Sequence, residues 1–140
     1  MVKLIVGLKG AGKTKQMIRD INEAVKKETG SMVCIENGTK LRYDIDRRVR
    51  LIEYQDYKMD GSMDFLKGFI SGLYASNFDV NHIFIDSFYK LLDHASVEDV
   101  EDFTLWCDKF GETNRVNFTV IVSEDPAKLP ESLKKFLPTA

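Results

Sequence analysis

The residues Gly7-Leu8-Lys9-Gly10-Ala11-Gly12-Lys13-Thr14 follow the pattern G-x-x-x-x-G-K-[ST] without a gap. Backbone N–H groups of a glycine-rich turn can converge on phosphate oxygens only where side chains do not intrude. A helix starting directly after the turn adds its own unpaired N–H groups and the positive end of its dipole. In such a loop Lys13 reaches the β- and γ-phosphates, and the Thr14 hydroxyl is placed for Mg²⁺. The residues expected to touch phosphate are therefore Gly7, Lys9, Gly10, Ala11, Gly12, Lys13 and Thr14. The glycine spacing is not G-x-G-x-x-G, which removes a dinucleotide fingerprint from consideration.

This chemistry requires a buried strand before the loop and a helix after it. Leu4-Ile5-Val6 is a short branched apolar run, and Met17, Ile18, Ile21, Ala24 and Val25 recur at helical spacing, with Gly30 read as the stop. Further buried strands are expected at Met32–Ile35, Val49–Ile52, Ile83–Ile85 and Phe118–Val122. Between them, Ser62 opens a helix with Met63, Leu66, Ile70 and Leu73 on one face. Ser96 caps another, with Val100, Phe103, Trp106, Cys107 and Phe110 inward and Gly111 as its end. Pro130-Glu131 opens a final short helix, and the stretch from Asn37 to Arg48 reads as a hairpin or a mobile loop. Strands apolar throughout belong to a parallel sheet covered on both faces. Their alternation with helices predicts a three-layer α/β domain with a mainly parallel sheet of about five strands.

The chain has 140 residues, which suits one domain spanning 1–140, and its 44% hydrophobic and 30% charged content excludes disordered and fibrous classes. No apolar run approaches the roughly 20 residues of a membrane span, and the N-terminus shows no cleavable leader. Cys34 and Cys107 lie far apart and form no C-x-x-C pair, which fits a reducing cytoplasm and excludes a zinc ribbon. His82 and His94 have no ligand-spaced partner and read as structural. Net charge is −2, but residues 1–50 carry 12 basic against 6 acidic residues, whereas 51–140 carry 8 against 16. A basic first half attracts phosphate; the acidic second half argues against a surface coated in nucleic acid.

At these residues the chain resembles a P-loop NTPase. Gly7–Thr14 resembles a Walker A motif, and His82-Ile83-Phe84-Ile85-Asp86 resembles a Walker B strand ending in its acid. An extra strand and the polar end of the Val120–Val122 strand are more similar to the RecA-type, additional-strand branch. The dimensions are those of small stand-alone bacterial ATP-binding proteins. The resemblance implies ATP and Mg²⁺ as ligands, Asp86 holding the metal through water, Ser123 sensing the γ-phosphate, and a cytoplasmic protein. ATP is inherited from the family here, because no residue pattern identifies the base.

One departure divides the functional readings. The resembled family commonly places a glutamate directly after the Walker B aspartate, and this chain has Ser87, which cannot act as a carboxylate base. Either another acid substitutes, with Glu124 the candidate, and the protein is a weak or partner-stimulated ATPase; or the nucleotide gates a protein or nucleic-acid binding module with little turnover. A small phosphotransferase is the weaker third reading, because no arginine occurs between Asp86 and Phe110. Arg42, Arg47, Arg48 and Arg50 could supply an arginine finger to a neighbouring subunit of a homo-oligomer, contact nucleic acid, or simply solvate a loop. Tyr54 and Tyr57 could stack on a base, with no pattern to single them out; Phe65, Phe69, Tyr74, Phe84, Phe103, Trp106 and Phe110 fit a core.

Overall fold

Strands without polar alternation must be covered on both faces, and parallel pairing is the arrangement that achieves this. In the computed structural model the apolar runs become β1 (Val2–Gly7), β2 (Ser31–Glu36), β3 (Val49–Glu53), β4 (Val80–Ile85) and β5 (Asn117–Ser123). They form one sheet in the order β1-β5-β4-β2-β3, with every neighbouring pair parallel. The structure describes residues 1–38, 41, 44–54 and 60–138. Arg42 and Tyr57 lie outside the described residues.

Helix α1 (Lys13–Lys27) covers one face of the sheet. Its Met17, Ile21, Ala24 and Val25 pack with Ile5, Cys34, Phe84 and Ile121. Helices α2 (Met63–Ser76) and α3 (Val97–Asn114) cover the other, where Leu66, Ile70, Phe103 and Cys107 join Leu4, Ile83, Ile85 and Val120. The layers are those of a three-layer α/β fold. β5 lies between β1 and β4, so one strand separates the strand of the glycine loop from the strand that ends at Asp86.

Local chemistry sets the helix ends. Ser62 accepts a hydrogen bond from the Phe65 amide at 3.1 Å, and the Ser96 amide donates to Asp99 Oδ2 at 2.8 Å. Two expected stops fall elsewhere. α1 ends at Lys27, before Gly30, and α3 runs past Gly111 to Asn114, ending where Arg115 takes a left-handed conformation at φ 59°. A Cβ on Gly111 would lie 2.3 Å from the Val116 carbonyl oxygen, so that glycine admits the returning chain instead of terminating the helix. The C-terminal segment forms two 3₁₀ stretches, Pro126–Lys128 and Glu131–Phe136, the second being the short helix expected after Pro130. Prolines at 126, 130 and 138 leave too few consecutive residues for an α-helical ladder. Among the described residues no helix is long and apolar enough to cross a membrane.

At the end of the sheet away from the glycine loop, His82 stacks on Phe84 with ring centroids 3.9 Å apart. Its Nδ1 lies 3.1 Å from Glu28 Oε2 and its Nε2 lies 2.9 Å from Thr119 Oγ1. Asn117 Nδ2 donates to Glu28 Oε1 at 3.2 Å, completing a network that ties the end of α1 to β4 and β5. Burial lowers the His82 pKa below the ordinary 6.5, and the Glu28 carboxylate only partly offsets it. The unfolded chain therefore binds this proton more readily than the folded one. The stability contributed by neutral His82 is present above pH 6.5 and is lost as pH falls below that value toward the lowered folded pKa. Melting temperatures measured between pH 7.5 and 5 should drop more steeply in the wild type than in His82→Asn, and parallel curves would refute the assignment.

Candidate functional site

The glycine loop owes its shape to two left-handed residues, Gly10 at φ 88° and Gly12 at φ 82°. A Cβ at either would meet nothing within 4 Å, so the demand is on backbone conformation and open approach, not on space inside the protein. The Ala11 amide donates to the Leu8 carbonyl at 3.1 Å, closing the turn, and Gly12 stands as the N-cap of α1. The first turn of α1 contains no acid, so its positive end is uncompensated. Lys13 Nζ donates to the Leu8 carbonyl at 2.9 Å, which folds the lysine back over the loop. Lys9 and Thr14 are exposed beside it.

Parallel pairing brings the C-terminal ends of four strands into one row. Gly7 pairs with Ser123 across β1 and β5, and Ile85 pairs with Ile35 across β4 and β2, with the Asp86 amide donating to the Ile35 carbonyl at 2.9 Å. Side chains alternate along a strand. Cys34, Phe84 and Ile121 pack on the α1 face, so Glu36, Asp86 and Ser123, each two residues further on, fall on that same face. The row is staggered: Ile85 pairs with Val120, so Ser123 and Gly7 stand two residues further along the strand direction than Asp86 and Glu36. With neighbouring strands about 4.8 Å apart and about 3.3 Å per residue, Gly7 to Glu36 spans about 16 Å. Glu36 and Asp86 are 2% and 5% exposed, and Ser123 is open to solvent. Cys34 records both carboxylates: burial raises its thiol pKa first, and the charges of Asp86 and Glu36 raise it further.

Glu36 is the residue that sequence reasoning passed over. Nothing local distinguishes it from any polar strand end; only the pairing of β2 with β4 sets it beside Asp86. Its carboxylate also accepts from the Leu41 amide at 3.3 Å, which fastens the chain leaving β2.

The neighbouring residues behave differently. Ser87 takes a left-handed conformation at φ 59° and ψ 68°, and its hydroxyl donates to Asp86 Oδ1 at 3.3 Å. That sharp turn leads into the 3₁₀ segment Phe88–Leu91. Glu124 is tied down: Tyr89 Oη donates to its Oε1 at 2.9 Å and the Asp125 amide to its Oε2 at 3.1 Å. Burial and the Glu124 carboxylate both push the Tyr89 hydroxyl pKa up, so this bond persists through the physiological range. Arg48 Nη1 donates to the Val25 carbonyl at 2.9 Å, at the far end of α1 from the glycine loop. Arg50 lines a small cavity with Ser31 and Asn77 at that same end. Tyr54 is in the core, edge-on to Phe69 at 5.5 Å, and is unavailable for base stacking.

No protein-family model matches this chain, and no curated protein matches it in sequence. Among solved structures it is similar to the flagellar accessory protein FlaH from Methanocaldococcus jannaschii, with a TM-score of 0.56 at 16% identity. The similarity covers 96% of this chain and 65% of FlaH, so the chain spans about two thirds of that protein's length. At this identity the likeness concerns the fold.

The loop geometry makes its own prediction. Gly12→Ala places a Cβ at a left-handed position with space around it, so the cost is conformational, about 1–2 kcal/mol. Urea denaturation should show that loss with an unchanged m-value, and a loss above about 4 kcal/mol would mean the site is packed and not open.

Proposed function

We propose that the chain is a Mg²⁺-dependent nucleoside-triphosphate-binding protein of the RecA-like P-loop kind, with slow or partner-stimulated ATPase activity. The observation that carries this reading is the row Gly7–Ser123–Asp86–Glu36 at the N-terminus of α1, with the lysine-bearing loop at one end and two buried carboxylates at the other. The open glycine turn and the acid-free first turn of α1 suit an anion, and the paired carboxylates suit its counter-cation.

In this reading the N–H groups of Gly10–Thr14 hold the phosphates. Lys13 exchanges its bond to the Leu8 carbonyl for a stronger, charge-assisted one to phosphate oxygen. The Thr14 hydroxyl and Asp86 hold Mg²⁺, which when bound neutralises charge on the phosphates. Ser123, level with Gly7, contacts the terminal phosphate. Glu36 orients and deprotonates the attacking water, a role that Ser87 cannot fill and from which Tyr89 withholds Glu124.

Binding and phosphate release from Mg·ATP test the reading together. Lys13→Ala should weaken nucleotide binding by about 10- to 150-fold, the worth of a hydrogen bond to a charged group. Glu36→Gln should keep the affinity and lower turnover about 10²- to 10⁴-fold, as expected on losing a general base. Equal binding by wild type and Lys13→Ala would overturn the phosphate site. Tight binding with wild-type turnover no higher than in Glu36→Gln would reassign the protein as a nucleotide-gated binding module.

A further inference from the structure

The strand that carries the glycine loop is the edge of the sheet. β1 pairs only with β5 among the described residues, and the Phe118 amide donates to the Met1 carbonyl at 2.9 Å. In a parallel ladder successive residues direct their N–H and C=O to opposite sides. Met1, Lys3, Ile5 and Gly7 therefore face β5, while Val2, Leu4 and Val6 turn their main-chain groups outward. A groove of about 750 Å³ runs along this edge, with Lys3, Ile5 and Val6 as its floor and Ala11, Gly12 and Lys13 closing one end. α1 forms one wall through Lys15, Gln16 and Arg19; Pro126, Leu137 and Pro138 form the other. The volume lies in the range of small-molecule sites, and its closed end is the phosphate loop itself.

The lining has a one-sided hydrogen-bonding character. Among the described residues no carboxylate lines the groove. The Gln16 amide is used at both ends: its Nε2 donates to Asp20 at 3.1 Å, and its Oε1 accepts from Arg19 Nη2 at 3.0 Å. Lys3 is held by Asp20 at 2.7 Å. Arg19 and Lys15 offer only donors, and Val6 adds one main-chain donor and one acceptor. The opposite wall is flat and apolar. Both purines present N7 as an acceptor, and they differ at position 6, where adenine donates and guanine accepts. A wall of movable donors, with one main-chain pair and no carboxylate to reject a carbonyl, fits either.

We propose that the nucleoside of the bound triphosphate lies along the open edge of β1, between α1 and Leu137–Pro138, and that this groove accepts purine triphosphates with little discrimination between adenine and guanine. The proposal rests on the reading of Gly7–Thr14 as the phosphate site. It adds that Pro126, Leu137 and Pro138 form the nucleoside wall.

Calorimetric titration with Mg·ATP, Mg·GTP and Mg·tripolyphosphate separates the two claims. ATP and GTP should bind within about tenfold of each other, and both at least about tenfold more tightly than tripolyphosphate, the worth of burying one base face. Leu137→Ser, and Pro138→Asn at an exposed position that leaves folding intact, should shrink the advantage of ATP over tripolyphosphate to less than about threefold. Tripolyphosphate affinity itself should stay unchanged. Tripolyphosphate binding as tightly as ATP, an ATP advantage that survives both substitutions, or a preference between the purines above about 100-fold would overturn the groove assignment while the phosphate site stands. Failure of all three ligands to bind, with Lys13→Ala indistinguishable from wild type, would remove the phosphate site and the groove proposal with it.

Discussion

Parallel pairing of strands buried on both faces is the constraint on which the rest depends. A parallel sheet points all its strand ends the same way, so the residues that follow five separate apolar runs meet at one edge of the domain. Gly7, Ser123, Asp86 and Glu36 are far apart in the chain and belong to four different strands, yet parallel pairing gathers them at one edge, Gly7 level with Ser123 and, two residues lower, Asp86 beside Glu36. α1 then packs on the face to which three of these side chains point, and its N-terminus opens on the row. Each residue of the row is positioned by the hydrophobic strand behind it.

The cores on the two faces do unequal jobs. The α1 side is the smaller, and it ends in charge at both extremities: the loop and the two carboxylates at one, the His82–Glu28–Asn117 network at the other. The α2–α3 side is aromatic-rich, with Phe88 stacked on Phe103 at 4.8 Å directly after the turn that Ser87 makes. That packing anchors the chain leaving Asp86, and the bond from Tyr89 to Glu124 joins it to the end of β5. The polar edge is thus braced from the apolar side.

The glycine loop was legible in the sequence because its chemistry is local: glycines, lysine and threonine act within one turn, and their spacing is the geometry. Asp86 was legible for a related reason, as an acid ending an apolar run. Glu36 was not, since it ends β2 as an ordinary polar residue and gains meaning only beside Asp86. The partner of Glu124 was hidden for the same reason, because the Tyr89 hydroxyl that donates to it comes from 35 residues earlier. Gly111 and Tyr54 were misread by local rules that tertiary contacts overrode: the Val116 carbonyl needs the space beside that glycine, and Phe69 claims that ring.

The sequence by itself determined the fold class, the glycine loop and the apolar faces, since each follows from short-range pattern: branched runs, helical spacing and a glycine turn. The tertiary structure alone decided which acids face the loop, which arginine is spent capping α1, and that β1 has an open edge with a groove beside it. Those depend on strand order, and strand order is a long-range property. Apart from β3, whose exposed Arg50 suits the edge it occupies, the strands differ too little in apolar character to mark their places, so only the packing of the whole assembly selects which neighbours meet.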